Sequence, residues 1–114
     1  MLKYNQMTNQ ENLKIEAQRI AEQIALKYNP ERVVLFGSLV NGSERSNDID
    51  LLVIKETEEG RIERAQNLYK ALDWSYPLDI IVRTPKEVER GLSQKNPFYL
   101  NALKGKVLYE SSQS

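Results

Sequence analysis

Apolar residues recur at helical spacing through the first third of the chain, so this segment is predicted to be one amphipathic helix. The stripe comprises Leu13, Ala17, Ile20, Ala21, Ile24 and Tyr28. Thr8 followed by Glu11 matches a capping box, in which each residue bonds the other's backbone N–H at a helix start. Asn29-Pro30 predicts the end of the helix, because a residue that precedes proline is biased away from helical geometry.

Shorter apolar runs farther along the chain predict strands. These runs cover residues 33–36, 48–54, 78–82 and 106–109. A second amphipathic helix is predicted between the second and third strands, from the spacing of Ile62, Ala65, Leu68, Tyr69 and Leu72. Further helix starts are predicted at Thr84-Pro85 and Asn96-Pro97, because proline is favoured at the first helical position.

The predicted order of elements, α-β-β-α-β-α-α-β, indicates an α/β (α+β) fold with a mixed sheet of about four strands backed by helices. The segment between the first two strands is turn-rich and too short for a helical crossover, so we expect these strands to run antiparallel. A length of 114 residues fits a single domain over residues 1–114. Residues 1–8 are expected to form a loose N-terminus and residues 110–114 a tail.

Composition excludes several classes of site. The chain has no cysteine and no histidine, which removes disulfides, thiolate zinc sites and the commonest general base. A metal would therefore be held by oxygen atoms, which favours Mg²⁺ or Mn²⁺. Sixteen basic and sixteen acidic residues cancel, which argues against general nucleic-acid binding. The sequence shows no apolar signal core and no transmembrane stretch, so we expect a cytoplasmic protein without a membrane partner.

Three aspartates carry the candidate chemistry. Asp48 and Asp50 share one face of the second predicted strand, because side chains alternate along a strand. Like charges on one face repel unless a cation lies between them. Asp79 interrupts the third apolar run, and a Gly37-Ser38 turn precedes the pair. Three strand carboxylates beside such a turn suit Mg²⁺ and a nucleoside triphosphate such as ATP.

Each element of this pattern is ordinary by itself. Gly37-Ser38 alone is more often a simple strand-ending turn, and Asp48-x-Asp50 alone could be the solvated face of an edge strand. Asp79 is harder to explain without a function, because an aliphatic residue would serve better in its apolar run. The order of the three features together favours a functional site.

With these motifs, the chain resembles the minimal nucleotidyltransferases of the polymerase-β-like superfamily. Their signature is an apolar strand, Gly-Ser, about ten residues, Asp-x-Asp, and a third Asp on a later strand. The resemblance covers almost the whole chain and implies a nucleotidyltransferase fold. It places the catalytic and metal-binding roles on Asp48, Asp50 and Asp79. Nucleotide binding falls to the turn residues Gly37, Ser38, Asn41 and Gly42.

The chemistry of nucleotidyl transfer supports the same roles. Two Mg²⁺ ions can stabilise both the attacking and the leaving oxygen of the displacement. Asp48 and Asp50 would bind the ion that also holds the triphosphate. Asp79 would complete the second site and accept the proton of the attacking hydroxyl.

The turn departs from the family pattern at one position. After Gly-Ser the family has x-Ala-Arg-Gly, whereas this chain has Leu39-Val40-Asn41-Gly42. Asn41 can donate a hydrogen bond but supplies neither the charge nor the bidentate fork of arginine. Arg45, or an arginine of a partner, is the candidate replacement.

Short members of this family resemble the antitoxin of a toxin–antitoxin pair. The resemblance implies that the partner is an all-helical HEPN toxin. It also implies that AMP is transferred from ATP to a tyrosine of that toxin. The expected assembly is a hetero-oligomer with the toxin, with a homodimer of this chain as the alternative. Two alternatives stay open. One is a catalytically weak module that neutralises its partner by binding alone, and the other is a transferase acting on a small molecule such as an aminoglycoside.

Overall fold

The computed structural model describes residues 7–42 and 47–112. Its elements in chain order are α1 (Asn9–Tyr28), β1 (Arg32–Phe36), β2 (Ile49–Ile54), α2 (Arg61–Ala71), β3 (Leu78–Arg83), α3 (Pro85–Ser93), α4 (Pro97–Ala102) and β4 (Lys106–Glu110). Of the loose N-terminus predicted over residues 1–8, residues 1–6 lie outside the described residues, whereas Thr8 is ordered as the N-cap of α1. Residues 113–114 of the predicted tail and Arg45 also lie outside the described residues.

The strands form one mixed sheet in the order β3-β2-β1-β4. β1 is antiparallel to both β2 and β4, which confirms the prediction for the first two strands. β2 and β3 are parallel, so α2 makes the crossover that a parallel pair requires. The amino ends of β2 and β3 therefore lie beside the carboxyl end of β1, at the same end of the sheet.

The two faces of the sheet carry separate cores. On one face, Val33, Leu51 and Ile80 pack with the apolar stripe of α1 and with Leu68 of α2. On the other face, Val34 and Leu52 pack with α3 and α4. Alternate residues of each strand therefore enter opposite cores, as the pleat requires. The mixed sheet backed by helices is the fold that the sequence predicts.

The helix starts follow the predicted capping chemistry. The Thr8 hydroxyl accepts a hydrogen bond from the Glu11 N–H at 3.1 Å, and the Glu11 carboxylate accepts one from the Thr8 N–H at 2.8 Å. α1 ends at Asn29, whose φ of 52° is left-handed, a conformation that asparagine tolerates better than most residues. Within the described ranges, no helix combines the length and apolarity needed to cross a bilayer.

Each strand differs from the prediction by one residue at one boundary. β1 begins at Arg32 and β3 ends at Arg83. The differences at β2 and β4 have an identifiable cause. β2 begins at Ile49, where the Ile49 N–H bonds the Pro77 carbonyl at 3.0 Å, so Asp48 lies just before the strand. β4 extends through Glu110, which was expected in the tail, because Glu110 pairs with Arg32 of β1. Their side chains also form an ion pair at 3.0 Å. Both differences arise from long-range pairing, which local hydropathy does not encode.

Glu87 joins three elements at one end of the sheet. Its carboxylate accepts hydrogen bonds from Arg64 of α2 at 2.7 Å and from the Thr84 N–H at 2.8 Å. Arg64 also donates to the Val82 carbonyl of β3 at 3.3 Å. Partial burial acts to raise the pKa of Glu87, but the bonds from Arg64, the Thr84 backbone and Arg61 outweigh it and hold the pKa at about 2.

Glu87→Gln should therefore destabilise the fold at pH 7, by about 2 kcal/mol, because the charged acceptor is lost. A carboxylate whose pKa is lowered on folding stabilises the protein above its unfolded pKa. The deficit of the variant should thus shrink between pH 4.5, the ordinary value, and about pH 2. Urea unfolding across this range measures it. Glu89→Gln, at an exposed position of the same helix, is the control; equal stability of the two variants would contradict the prediction.

Candidate active site

Asp50 and Asp79 lie directly opposite each other on the parallel strands β2 and β3. Neighbouring strands lie about 4.8 Å apart, so residues in register are adjacent. Both side chains are on the sheet face that carries α3 and α4, since Leu52 and Ile81 of the same strand faces join that core. Asp50 is partly buried and Asp79 is exposed. The fold therefore brings two of the three predicted carboxylates together.

Asp48 is exposed and immediately precedes β2. It remains close enough to act electrostatically on Asp50, but the strand ladder does not fix its position. Among the described residues, no group of three or more acidic side chains is already arranged closely enough to hold a metal ion. The arrangement is thus a fixed pair of carboxylates with a third beside it.

The environment of Asp50 disfavours its charged form. Burial is the main cause that raises the pKa of this carboxyl, followed by the negative charges of Asp79 and Asp48. A bound cation would offset both the desolvation and the repulsion. Perturbed carboxylates of this kind are concentrated at functional sites.

Gly37 is required by its contact with Asp50. Its φ is 82°, a conformation that only glycine adopts easily. A Cβ atom at this position would overlap the Oδ2 atom of Asp50. The sequence suggested that Gly37 allows a phosphate to approach; the structure shows that this glycine also makes room for the carboxylate itself.

The residues after Gly37 form a single helical turn. The N–H groups of Val40 and Asn41 both donate to the Gly37 carbonyl at 3.2 Å. Leu39 is fully buried in the core with α1 and anchors the turn, whereas Ser38 and Asn41 are exposed. Within the described residues, the N–H group of exposed Ser38 makes no hydrogen bond. This group is available to an anion.

Gly42 ends the turn with a φ of 82°. Apart from its chain neighbours, no atom of the described residues lies within 4 Å of where its Cβ would be. Its requirement for glycine is therefore conformational, and the structure shows no close approach at this position.

A cleft of about 530 Å³ opens beside the turn. Phe36 and Phe98 form part of its wall and pack edge to face, with ring centroids 5.6 Å apart. Asn41 lines one side of the cleft and Lys104 another. Lys104 thus supplies a cation to the same space as the uncharged Asn41. The position of Lys104 was not predicted, because only the pairing of β4 with β1 brings this distant residue to the turn.

Tyr69 holds the outer edge of β3 at the position of Asp79. Its hydroxyl donates to the Leu78 carbonyl and accepts from the Ile80 N–H, both at 2.8 Å. These are the residues on either side of Asp79. The hydroxyl therefore replaces the neighbouring strand that an edge lacks and fixes the backbone that carries the carboxylate.

Comparison with known proteins identifies the family of the chain. Residues 18–114 match the family model described as polymerase beta, nucleotidyltransferase. The chain belongs to this nucleotidyltransferase family. It is also similar to a crystal structure from Sulfolobus solfataricus described as that of a "putative nucleotidyltransferase", at 26% identity and a TM-score of 0.59. That match covers 72% of this chain and 76% of the other. A comparison with curated proteins gives no significant match.

The carboxylates of this nucleotidyltransferase domain fit an oxygen-bound divalent cation. Asp50 and Asp79 present oxygen donors from two rigid strands in register, and the chain offers no cysteine or histidine ligand. Mg²⁺ is commonly bound through one or two carboxylates together with substrate phosphates and water. The pair therefore suits an ion that arrives with a nucleotide.

Asp50→Asn should stabilise the metal-free protein at pH 7 and raise its melting temperature by a few degrees. The pKa of Asp50 is raised on folding, so its ionisation disfavours the folded state at neutral pH, whereas a protonated Asp50 carries no such penalty. The gain should disappear below the ordinary aspartate pKa of 3.8.

Thermal unfolding in EDTA at pH 7 and at pH 3.5 tests this expectation. Glu56→Gln, at an exposed link position, controls for the change in net charge. A melting temperature of Asp50→Asn below that of the unchanged protein at pH 7 would show that repulsion does not dominate at this position.

Proposed function

We propose that this chain is a Mg²⁺-dependent nucleotidyltransferase that moves AMP from ATP to a hydroxyl group. The proposed acceptor is a tyrosine of an all-helical HEPN-type toxin, for which this chain would be the antitoxin. The observation that carries the proposal is the register of Asp50 and Asp79 beside the Gly37 turn. The pair thus lies next to the Gly37 turn, the proposed phosphate site, in a member of the nucleotidyltransferase family.

The cleft beside the turn suits the nucleotide. Lys104 and Asn41 line it, and the exposed Ser38 N–H lies in the adjacent turn. A cation and backbone donors are the usual partners of a triphosphate. Lys104 would provide the positive charge that Asn41 lacks, without the bidentate geometry of arginine.

The carboxylates would divide the chemistry of transfer. Asp48, Asp50 and Asp79 would hold Mg²⁺ or Mn²⁺, which when bound neutralises charge on the reacting oxygens. The acceptor hydroxyl forms a bond to the α-phosphorus while the bond to the departing pyrophosphate breaks. Asp79, the exposed member of the pair, accepts the proton of that hydroxyl.

The position of Asp79 supports a protein acceptor. β3 is an edge strand, and Asp79 is exposed near its start. The nucleotide cleft lies on the opposite side of Asp50, against β1 and α4. An acceptor can therefore approach from the β3 edge without crossing the nucleotide.

Two observations favour the competing role of a binder that only occludes its partner. The described residues contain no preformed group of three carboxylates around an ion position, and Asn41 replaces the arginine of the family pattern. A domain that neutralises by contact alone would need neither a preformed group of three carboxylates nor that arginine. The two roles differ in whether the partner is modified.

Affinity for ATP should depend on Mg²⁺ and on Lys104. Without a cation, Asp48 and Asp50 repel the triphosphate, so calorimetric titration should show binding in Mg²⁺ and at least about tenfold weaker binding in EDTA. Lys104→Gln should weaken Mg·ATP binding by about three- to tenfold. Lys106→Gln, at an exposed residue of β4, is the matched control. Equal affinity in Mg²⁺ and EDTA would contradict the metal role.

Incubation with ATP, Mg²⁺ and a HEPN-type partner should add AMP to a tyrosine of that partner, as measured by intact-mass spectrometry. Asp79→Asn should abolish transfer but keep much of the ATP affinity, because its role lies on the acceptor side. Asp48→Asn combined with Asp50→Asn should lose both. An unmodified partner that is still neutralised, equally well by the double variant, would favour occlusion.

A further inference from the structure

Arginines gather on the β3 side of the molecule, opposite the nucleotide cleft. Two adjoining clefts lie there, and Arg61 lines both of them. Arg83 lines the first and bonds the hydroxyl of Tyr99, which lines the second, at 3.1 Å. Arg90 lines the second. We call Arg61, Arg83 and Arg90 the arginine surface.

The charge of this surface is only partly balanced. Among the residues that the structure describes, Glu87 is the one acidic residue that lines either cleft. It is shared between Arg61 at 3.3 Å and buried Arg64 at 2.7 Å. Within residues 7–42 and 47–112, no carboxylate lies within ion-pair distance of Arg83 or Arg90. In a chain of zero net charge, this is a local positive patch.

The arginine surface is aligned with the proposed acceptor side of the active site. Asp79, Ile81 and Arg83 alternate along one face of β3, so Arg83 lies about 13 Å from Asp79 along the strand. Ile62 adjoins the patch in the first cleft and is 73% exposed. A protein that presents a hydroxyl to Asp79 would extend over these residues.

We infer that the arginine surface binds acidic side chains of the acceptor protein next to the hydroxyl that receives the nucleotide. Guanidinium groups match carboxylates in shape and charge, and uncompensated positive charge near a reaction site attracts and orients an acidic partner. The inference rests on the proposed function only for the position of the acceptor. The charge imbalance itself is independent of catalysis.

The probe is a tyrosine peptide with flanking glutamates, titrated into the ¹⁵N-labelled full chain without ATP and followed by amide chemical shifts. Shifts are expected around Arg83, Arg90 and Ile62, and they should weaken with added salt. Arg90→Gln should lower affinity about threefold and Arg83→Gln with Arg90→Gln about tenfold, because a single exposed ion pair contributes little by itself. Arg32→Gln, at a half-buried arginine already paired with Glu110, should leave affinity unchanged.

Two further arms distinguish the outcomes. A peptide with flanking lysines should not bind, and an RNA oligonucleotide should shift the same amides less than the acidic peptide does. Asp79→Asn should keep peptide affinity while losing transferase activity, which separates failure of docking from failure of catalysis. Unchanged affinity in the exposed Arg90→Gln variant, or stronger binding of the RNA at these residues, would overturn the inference.

Discussion

The site depends on two like charges that the sheet holds side by side. Asp50 and Asp79 occupy matching positions of a parallel strand pair, and the raised pKa of Asp50 reflects burial and the neighbouring carboxylates. The protein maintains this unfavourable arrangement through the hydrophobic cores on both sheet faces. Such a local penalty is expected where a bound ligand supplies the missing charge.

Several contacts enforce that register. The α2 crossover places β3 beside β2, and Tyr69 of α2 bonds the backbone on both sides of Asp79. Arg64 of α2 bonds Glu87 and the Val82 carbonyl at the other end of β3. Gly37, which directly follows the neighbouring strand β1, packs against the Asp50 carboxylate. Asp50 and Asp79 are therefore positioned by paired strands, as their proposed catalytic role would require.

The sheet also separates two sides of the site. The turn, Phe98 and Lys104 surround the cleft against β1, whereas Asp79 and the arginine surface face outward from β3. In the proposed reaction the nucleotide would occupy the first side and the acceptor the second. Under this proposal, the two substrates would approach the carboxylates from opposite sides.

Local sequence chemistry predicted most of the framework. The capping box predicted at Thr8 forms, and α3 begins after Thr84 as predicted. The continuous apolar runs at 33–36 and 48–54 form the two central strands, whose residues are buried on both faces of the sheet. Features that arise from distant pairing were not predicted. Lys104 reaches the turn only through β4, Asp48 falls outside β2, and the Glu87–Arg64 ion pair joins helices far apart in sequence. The local hydropathy pattern carries no information about these long-range contacts.

We propose that Asp50 and Asp79 form the cation site of this nucleotidyltransferase domain. Titration of the ¹⁵N-labelled protein with Mn²⁺ in the presence of ATP tests it most directly, because paramagnetic broadening reports distance from the ion. The amides of Asp50 and Asp79 should broaden first, followed by those of the Gly37 turn, and Asp50→Asn should abolish the effect. Broadening that begins instead at the acidic link around Glu56 and Glu58, and persists in Asp50→Asn, would contradict the account.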